Sequence, residues 1–296
     1  MRALLTRLEA ALVGLGLAAC RAAGPVTASA ALGGVLRAVG PLLPVSRIAE
    51  VNLRLALPEL DAAARRRVIR GAWENLGRTV GELANLDRLR RTSSGHGWEL
   101  EGEENLRPLA HGESAVVVSG HLGNWEMLFP AGAQYGLPIG GFYRAAANPL
   151  VDKRVCDLRR AAGGGDVPLF AKGAAGARAA FAHLRGGGVL ALLCDQKLND
   201  GIEAQFFGHP AMTSLAAATL ALRFKRKLLP LHCVRIGPAR LRIIVDPPIP
   251  LPDSGDRDAD IRTLTETINR MLERWIRERP ESWLWLHRRW PKEHYR

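Results

Sequence analysis

His121 and Glu126 are the residues whose types and spacing point most directly to chemistry. They lie in Ser119-Gly120-His121-Leu122-Gly123-Asn124-Trp125-Glu126, just after the short run Ala115-Val116-Val117-Val118. Five steps along a regular helix turn about 500°, so on one helix the two side chains would diverge by roughly 140°. They meet only if His121 sits in the turn ahead of a helix and Glu126 in its first turn. Gly120 and Gly123 permit such a turn, and Asn124 suits the N-cap. Glu126 then accepts a hydrogen bond from His121 Nδ1, and Nε2 stays free to take a proton from a substrate hydroxyl. A substrate that brings its own hydroxyl removes the need for a nucleophilic serine. The same pair also describes a strand-end histidine satisfied by a neighbouring carboxylate; the strand–glycine–His–glycine–Glu setting favours chemistry.

The elements around this motif alternate. The run from Ala115 to Val118 reads as a buried strand, followed by strands at Leu137 to Tyr143, Val167 to Ala171 and Val189 to Cys194. Pro149 to Ala162 and Ala174 to Arg185 read as helices between them. A helix from Thr213 to Lys225, strands Leu228 to Ile236 and Leu241 to Val245, and a helix from Asp258 to about Glu278 complete the pattern. This rhythm predicts an α/β fold with a mostly parallel central sheet flanked by helices. In such sheets ligands bind at the carboxyl ends of strands, where the His121 motif falls. The first hundred residues read as helical pieces divided by Pro25, Pro41, Pro44 and Pro58. Asp61 caps a helix expected to run to about Leu89, with Val68, Ala72, Leu76, Val80 and Leu83 on one face and Arg65, Arg66, Arg67, Arg70 and Arg78 elsewhere. Those arginines describe a solvated face or one that touches lipid phosphates.

Arg144 follows a strand end near that of His121, suited to a phosphate, a carboxylate or the oxyanion of a reacting thioester. Asp195 also ends a strand and points at the cleft, to bind a sugar hydroxyl or to pair with Arg144. Cys194 reads as a core residue. Phe206-Phe207-Gly208 reads as a loop whose aromatics dip into lipid, line an acyl tunnel or anchor the loop. Trp283, Trp285 and Trp290 with Arg288 and Arg289 have the composition of a membrane-interface belt, or of a base-stacking surface. Lys172-Gly173-Ala174-Ala175-Gly176 reads as a helix start and lacks the ending of a phosphate-binding P-loop.

The chain has 296 residues, ample for a buried core, and its 47% apolar and 24% charged content excludes a disordered protein. Lys and Arg number 41 against 29 Asp and Glu, a net charge of +12, which implies an anionic partner. Cys20, Cys156, Cys194 and Cys233 lie too far apart in sequence for a zinc module, and no metal is expected. Ala10 to Cys20 is an apolar run that Arg21 ends, about half the length that would cross a ~30 Å hydrocarbon core. A helix lying in the membrane interface is expected, with a buried helix and a lipoprotein signal ending at Leu17-Ala18-Ala19-Cys20 as the other readings. Residues 1–24 are thus a membrane-anchoring helix and 25–296 one domain, helical to about 100 and α/β from about 114.

The string from Gly120 to Glu126 resembles the late lipid A acyltransferases, the lauroyl/myristoyl group within the His-x4-Asp/Glu acyltransferases. Similar blocks are Asn52-Leu53-Arg54, Pro58-Glu59-Leu60, Asn75-Leu76-Gly77-Arg78, Glu82, Tyr143-Arg144, Asn148-Pro149, Asp195-Gln196, Phe206-Phe207-Gly208, Ala211-Met212-Thr213 and Trp283 through Trp290. The resemblance implies a glycerolipid acyltransferase-like fold, His121 as base, Glu126 as its orienter, and substrate contacts at Arg144, Asn148, Asp195 and Gln196. It implies transfer of a fatty acyl chain from acyl carrier protein to a phosphorylated lipid A precursor, at the cytoplasmic face of the inner membrane, without a cofactor. Other acceptors (a lysophospholipid, an ornithine-type lipid, a phosphatidylinositol mannoside), a hydrolase using water, and a non-catalytic basic membrane or nucleic-acid binder are the competing readings.

Overall fold

The computed structural model describes residues 2–165 and 167–296. Its strands are β1 (Gly97–Glu101), β2 (Ala115–Ser119), β3 (Ile139–Tyr143), β4 (Leu169–Ala171), β5 (Val189–Leu193), β6 (Ile202–Phe206), β7 (His209–Thr213), β8 (Lys227–Gly237) and β9 (Arg240–Val245). Its α-helices are α1 (Arg2–Val39), α2 (Ser46–Ala56), α3 (Ala62–Leu83), α4 (Glu103–Ala110), α5 (Leu128–Gln134), α6 (Pro149–Ala162), α7 (Ala174–Arg185), α8 (Ala216–Phe224) and α9 (Arg257–Glu278). The main sheet has the order β1-β9-β8-β2-β5-β3-β4, and every pairing in it is parallel except β8 with β9. Every residue of β2 is buried, as a strand covered on both faces must be.

The chain leaves β2 for α5 on one face of the sheet and leaves β5, through a hairpin, for α8 on the other. Residues of α5 pack with Val117, Ala115 and Val189, whereas α8 packs with Val116, Val118 and Leu190. The crevice between the carboxyl ends of β2 and β5 is therefore a topological switch point, where open α/β sheets bind ligands.

Helix α3 runs to Leu83 and not to Leu89, and a 3₁₀ turn, Leu86–Arg88, takes over. Asp61 caps it as expected, accepting from Ala64 N at 2.6 Å. Val68 and Ala72 are buried but Val80 is exposed, because the sharper contact is made by the glycines. A Cβ on Gly77 would lie 2.3 Å from Leu32 O, and one on Gly81 2.4 Å from Ala28 O, so α1 and α3 touch backbone to backbone. Helix α1 is broken at Gly24, which adopts φ 79° and ψ 167° ahead of Pro25. Proline disfavours the helical conformation for its predecessor, and glycine accepts the alternative. The first half of α1 lies along α6, where a Cβ on Gly14 would meet Arg154. It is tied down by the Arg21–Asp87 ion pair and by Asn85 Nδ2 donating to Cys20 O at 2.9 Å. Leu4, Leu8, Leu12 and Leu15 remain exposed along its outer side. By length and composition the segment 4–42 is long and apolar enough to cross a membrane.

Two expectations are corrected. Phe206 and Phe207 are not a lipid-facing loop. They close the β6–β7 hairpin, in which Phe206 pairs with His209 and Phe207 and Gly208 form a two-residue turn at positive φ. Both rings are buried. Trp283, Trp285 and Trp290 are likewise at most 1% exposed, so they are no interface belt. Their indole N–H groups all find buried acceptors, on Asp195, Pro280 O and Phe206 O.

A buried carboxylate joins these layers. Glu82 Oε1 accepts from Ser29 Oγ of α1 at 2.6 Å, from Ala239 N at 3.2 Å and from Arg235 of β8 in an ion pair; Oε2 accepts from Asn124 Nδ2 at 2.6 Å. Removing one partner of a buried pair leaves an uncompensated charge. Glu82→Ala should therefore lower stability by about 3–5 kcal/mol, read as a shifted urea midpoint.

Candidate functional site

Parallel pairing of β2 and β5 sets Ser119 opposite Leu193, and Cys194 N donates to Ser119 O at 2.8 Å beyond the last pair. Two residues further on each chain stand His121 and Asp195. The carboxylate meets the histidine twice: Oδ2 accepts from His121 N at 3.0 Å and Oδ1 from Nδ1 at 2.8 Å. Trp283 Nε1 donates to Oδ2 at 2.7 Å. Asp195 is fully buried and so wholly occupied. An ionised carboxylate only accepts, so the imidazole proton sits on Nδ1 and Nε2 is the unprotonated, basic nitrogen. Nε2 faces the side-chain amide nitrogen of exposed Gln196, 3.4 Å away. The Trp125 ring stands edge-on to the imidazole at 5.2 Å.

The expected His121–Glu126 hydrogen bond is thus replaced by His121–Asp195. Glu126 does lie in a helical first turn, a 3₁₀ turn capped by Asn124 Oδ1. Its two oxygens, however, accept from Arg159 Nε and Nη2 of α6, both at 2.7 Å. The guanidinium fork matches a carboxylate in a way that one imidazole nitrogen does not. Glu126 acts on His121 through its charge. Burial disfavours the imidazolium, but Asp195 and then Glu126 outweigh it and raise the histidine above its ordinary 6.5. Burial likewise opposes the charge on Asp195, yet His121, with a smaller contribution from His287, holds that carboxyl well below the usual range.

The turn bearing His121 is held from several sides. Gly123 adopts φ 56°, and a Cβ there would lie 2.2 Å from Cys233 O. Gly123 O accepts from Asn75 Nδ2 at 2.9 Å and from Thr79 Oγ1 at 3.2 Å, both on α3. Gly123 N donates to Ser282 O at 3.1 Å and Leu284 N to His121 O at 3.1 Å, so the C-terminal segment laces the turn. That segment is held in turn by Asn52, whose Nδ2 donates to Trp285 O at 2.7 Å and His287 O at 2.8 Å. Buried Arg289 donates to Met212 O at 3.0 Å and Thr213 Oγ1 at 2.8 Å.

The remaining expected site residues divide. Arg144 follows β3 at the same edge as His121, is exposed, and has no hydrogen bond or ion pair among the described residues. Gln196 reaches the imidazole. Asn148 and Asp195, expected as substrate contacts, are buried and engaged with other groups of this chain. Asn148 Oδ1 caps α6 by accepting from Leu150 N at 3.0 Å, and its Nδ2 donates to Thr6 O at 2.9 Å and Glu9 Oε2 at 3.0 Å of α1. Cys194 is no nucleophile: burial, then the Asp195 charge, pushes its thiol up to about 12. Among the described residues no cluster fit to hold a metal is present. Sequence reasoning missed Asp195 as the orienter and Arg159 as the partner of Glu126. The available signal for Asp195 was its equal offset from a strand that pairs with the His121 strand.

Asp195→Asn tests the tautomer. Oδ2 faces two donors, so the asparagine must place its carbonyl there and turn its NH2 toward Nδ1. The imidazole proton then moves to Nε2 and the base is lost. Turnover should fall by about 10⁴-fold with the fold retained by circular dichroism. A free-base histidine also predicts kcat/KM rising with pH through a midpoint above 6.5. Glu126→Gln removes a charge that raises this midpoint and should move the limb to lower pH.

Among known proteins, the family model of the bacterial lipid A biosynthesis acyltransferases matches residues 3–292. Phosphatidylinositol mannoside acyltransferase of Mycobacterium tuberculosis, from strains CDC 1551 and H37Rv, is 32% identical over 133 residues, 42% of this chain and 40% of the relative. The match thus spans about two fifths of the length of these curated relatives. The crystal structure of the 1-acyl-sn-glycerophosphate acyltransferase from Thermotoga maritima aligns with 83% of this chain and 99% of its own, at 13% identity and a TM-score of 0.40. With its family model matched over nearly the whole chain, this protein belongs to the bacterial lipid A biosynthesis acyltransferase family.

Proposed function

We propose that the protein transfers a fatty acyl chain from an acyl carrier protein thioester to a hydroxyl of a phosphorylated lipid A precursor. The observation that carries this reading is the imidazole whose Nδ1 is held by Asp195 and whose Nε2 carries the lone pair at the switch-point crevice, with the amide of exposed Gln196 near it at 3.4 Å. In the proposed reaction Nε2 takes the proton of the acceptor hydroxyl as its oxygen attacks the thioester carbonyl. The tetrahedral intermediate collapses, the carbon–sulfur bond breaks, and the thiolate leaves with the proton returned by the imidazolium. Asp195 and Glu126 stabilise the imidazolium between the two steps. Arg144, at the crevice edge with its guanidinium unengaged, binds an anionic group of the acceptor or the oxyanion. The acceptor and donor identities rest on the family and on the +12 charge, which suits two acidic substrates.

The exposed leucines along the outer side of α1 support a helix lying in the cytoplasmic interface of the inner membrane. A phosphatidylinositol mannoside acceptor is the second reading, favoured by the relatives that match over 133 residues.

Purified protein should move acyl groups from acyl carrier protein to the lipid A disaccharide precursor, adding one acyl mass by mass spectrometry. His121→Ala should reduce this by about 10²–10⁴-fold or more. Arg144→Lys should impair it, since lysine lacks the planar fork. Offered side by side, the lipid A precursor should be preferred over phosphatidylinositol mannoside and lysophospholipid. Preference for either of those would reassign the acceptor, and thioester release that ignores every acceptor would indicate a hydrolase.

A further inference from the structure

We infer that the groove between α7 and α8 is the docking surface for an acidic, helical carrier protein that presents the acyl thioester, an inference resting on the thioester-donor reading above. The groove encloses about 380 Å³. Its floor is apolar: the Phe181 and Phe224 rings meet edge to face at 5.3 Å. Its rim is cationic, with Arg178, Arg185 and Arg223 all exposed. None of the three forms an ion pair among the described residues, and the Arg223 guanidinium lies over the Phe181 ring at 4.9 Å. Several arginines elsewhere on the surface meet carboxylates, as Arg91 does Glu103, Arg242 does Glu99 and Arg277 does Glu59, while others, such as Arg66 and Arg70 of α3, do not among the described residues; the groove differs in setting its unpaired arginines around an apolar floor.

The missing counter-charge is a property of the sequence. No Asp or Glu occurs from 167 to 194 or from 204 to 245, so neither helix has an acid of its own to answer these cations. An apolar floor inside an unanswered basic rim is complementary to an amphipathic acidic helix, which supplies carboxylates at the edge and aliphatic side chains at the centre.

Position selects a protein over a bilayer. The first half of α1 lies on α6, which packs with α5 on one face of the sheet, and α7 and α8 cover the other. With α1 seated on a membrane, the groove faces solvent. It also lies within reach of the reaction. Phe181 is about 10 Å along α7 from its start at the carboxyl edge of the sheet. There Lys172 N donates to Tyr143 O, beside Arg144. Strands β3, β5 and β2 then step across at about 4.8 Å each to His121.

The experiment compares full-length wild type with Arg178→Glu/Arg223→Glu and Arg178→Lys/Arg223→Lys. Binding of holo acyl carrier protein is read by fluorescence anisotropy, and turnover of a small pantetheine thioester is measured alongside. Wild type should bind in a salt-sensitive way, the double glutamate variant about tenfold or more weakly, and the double lysine variant nearly as wild type. Turnover of the small thioester should be unchanged in all three. Unchanged carrier binding by the glutamate variant overturns the inference, as does absence of carrier binding by wild type. So does weakened binding to anionic phospholipid vesicles with carrier affinity intact, which would make the groove a membrane surface. A loss shared by the small thioester would place the arginines at the reacting centre and also overturn it. Carrier binding that depends on the arginines, in a protein that does not acylate the lipid A precursor, leaves the groove standing and removes the acceptor assignment.

Discussion

One buried carboxylate organises the site. Asp195 accepts from the backbone and ring of His121 and from the Trp283 indole, and those three donors come from two parts of the chain far apart in sequence. A buried charge is tolerated only when it is thoroughly hydrogen-bonded, and here the bonds that make it tolerable are also those that set the histidine tautomer. Burial and the histidine tautomer are therefore not separate demands on this residue. The C-terminal tryptophan is drawn inward by the same requirement, and with it the segment that laces the histidine turn.

A second buried carboxylate, Glu82, performs the corresponding task one layer out. It gathers Ser29, Asn124, Arg235 and the Ala239 amide, and so fixes the turn of β2 against α1, α3 and β8 at once. Thr79 and Asn75, one and two helical turns earlier on α3, hold Gly123 O from the same side. The histidine turn contains little regular structure of its own. Its shape comes from side chains that reach it out of rigid helices, the arrangement that keeps a reacting group in place without a long loop.

Much of the architecture was legible. The β-branched run marked β2, Pro149 marked the start of α6, and Asp61 marked the start of α3, because strand periodicity, helix-starting proline and caps are local signals. The β6–β7 hairpin was not, since Ile202–Phe206 and His209–Thr213 alternate only weakly and their two-residue turn is built on a phenylalanine. The site was half legible. His121 stood out, but its partner lies 74 residues away and depends on strand register, whereas Glu126 was near in sequence and already engaged by Arg159. Composition misled at the C-terminus, where tryptophans and arginines that suit a membrane interface serve to lock a core. Arg289, fully buried over the Phe206 ring, shows that the same residue types carry opposite meanings at opposite depths.

The break in α1 at Gly24–Pro25 has a consequence for where the enzyme body begins. Hydropathy sees one apolar stretch, but packing divides it into an outrigger and a wall. The part before the break packs on α6 and is tied at its end to Asp87 and Asn85. The part after it carries Ser29 and the backbone ledge, Ala28 and Leu32, on which Gly81 and Gly77 sit. Cutting at the break spares the ledge; cutting at Val39 takes away a wall of the catalytic turn. The border between the exposed apolar arm and the wall of the α/β body thus falls in the middle of a single helix, at its one proline.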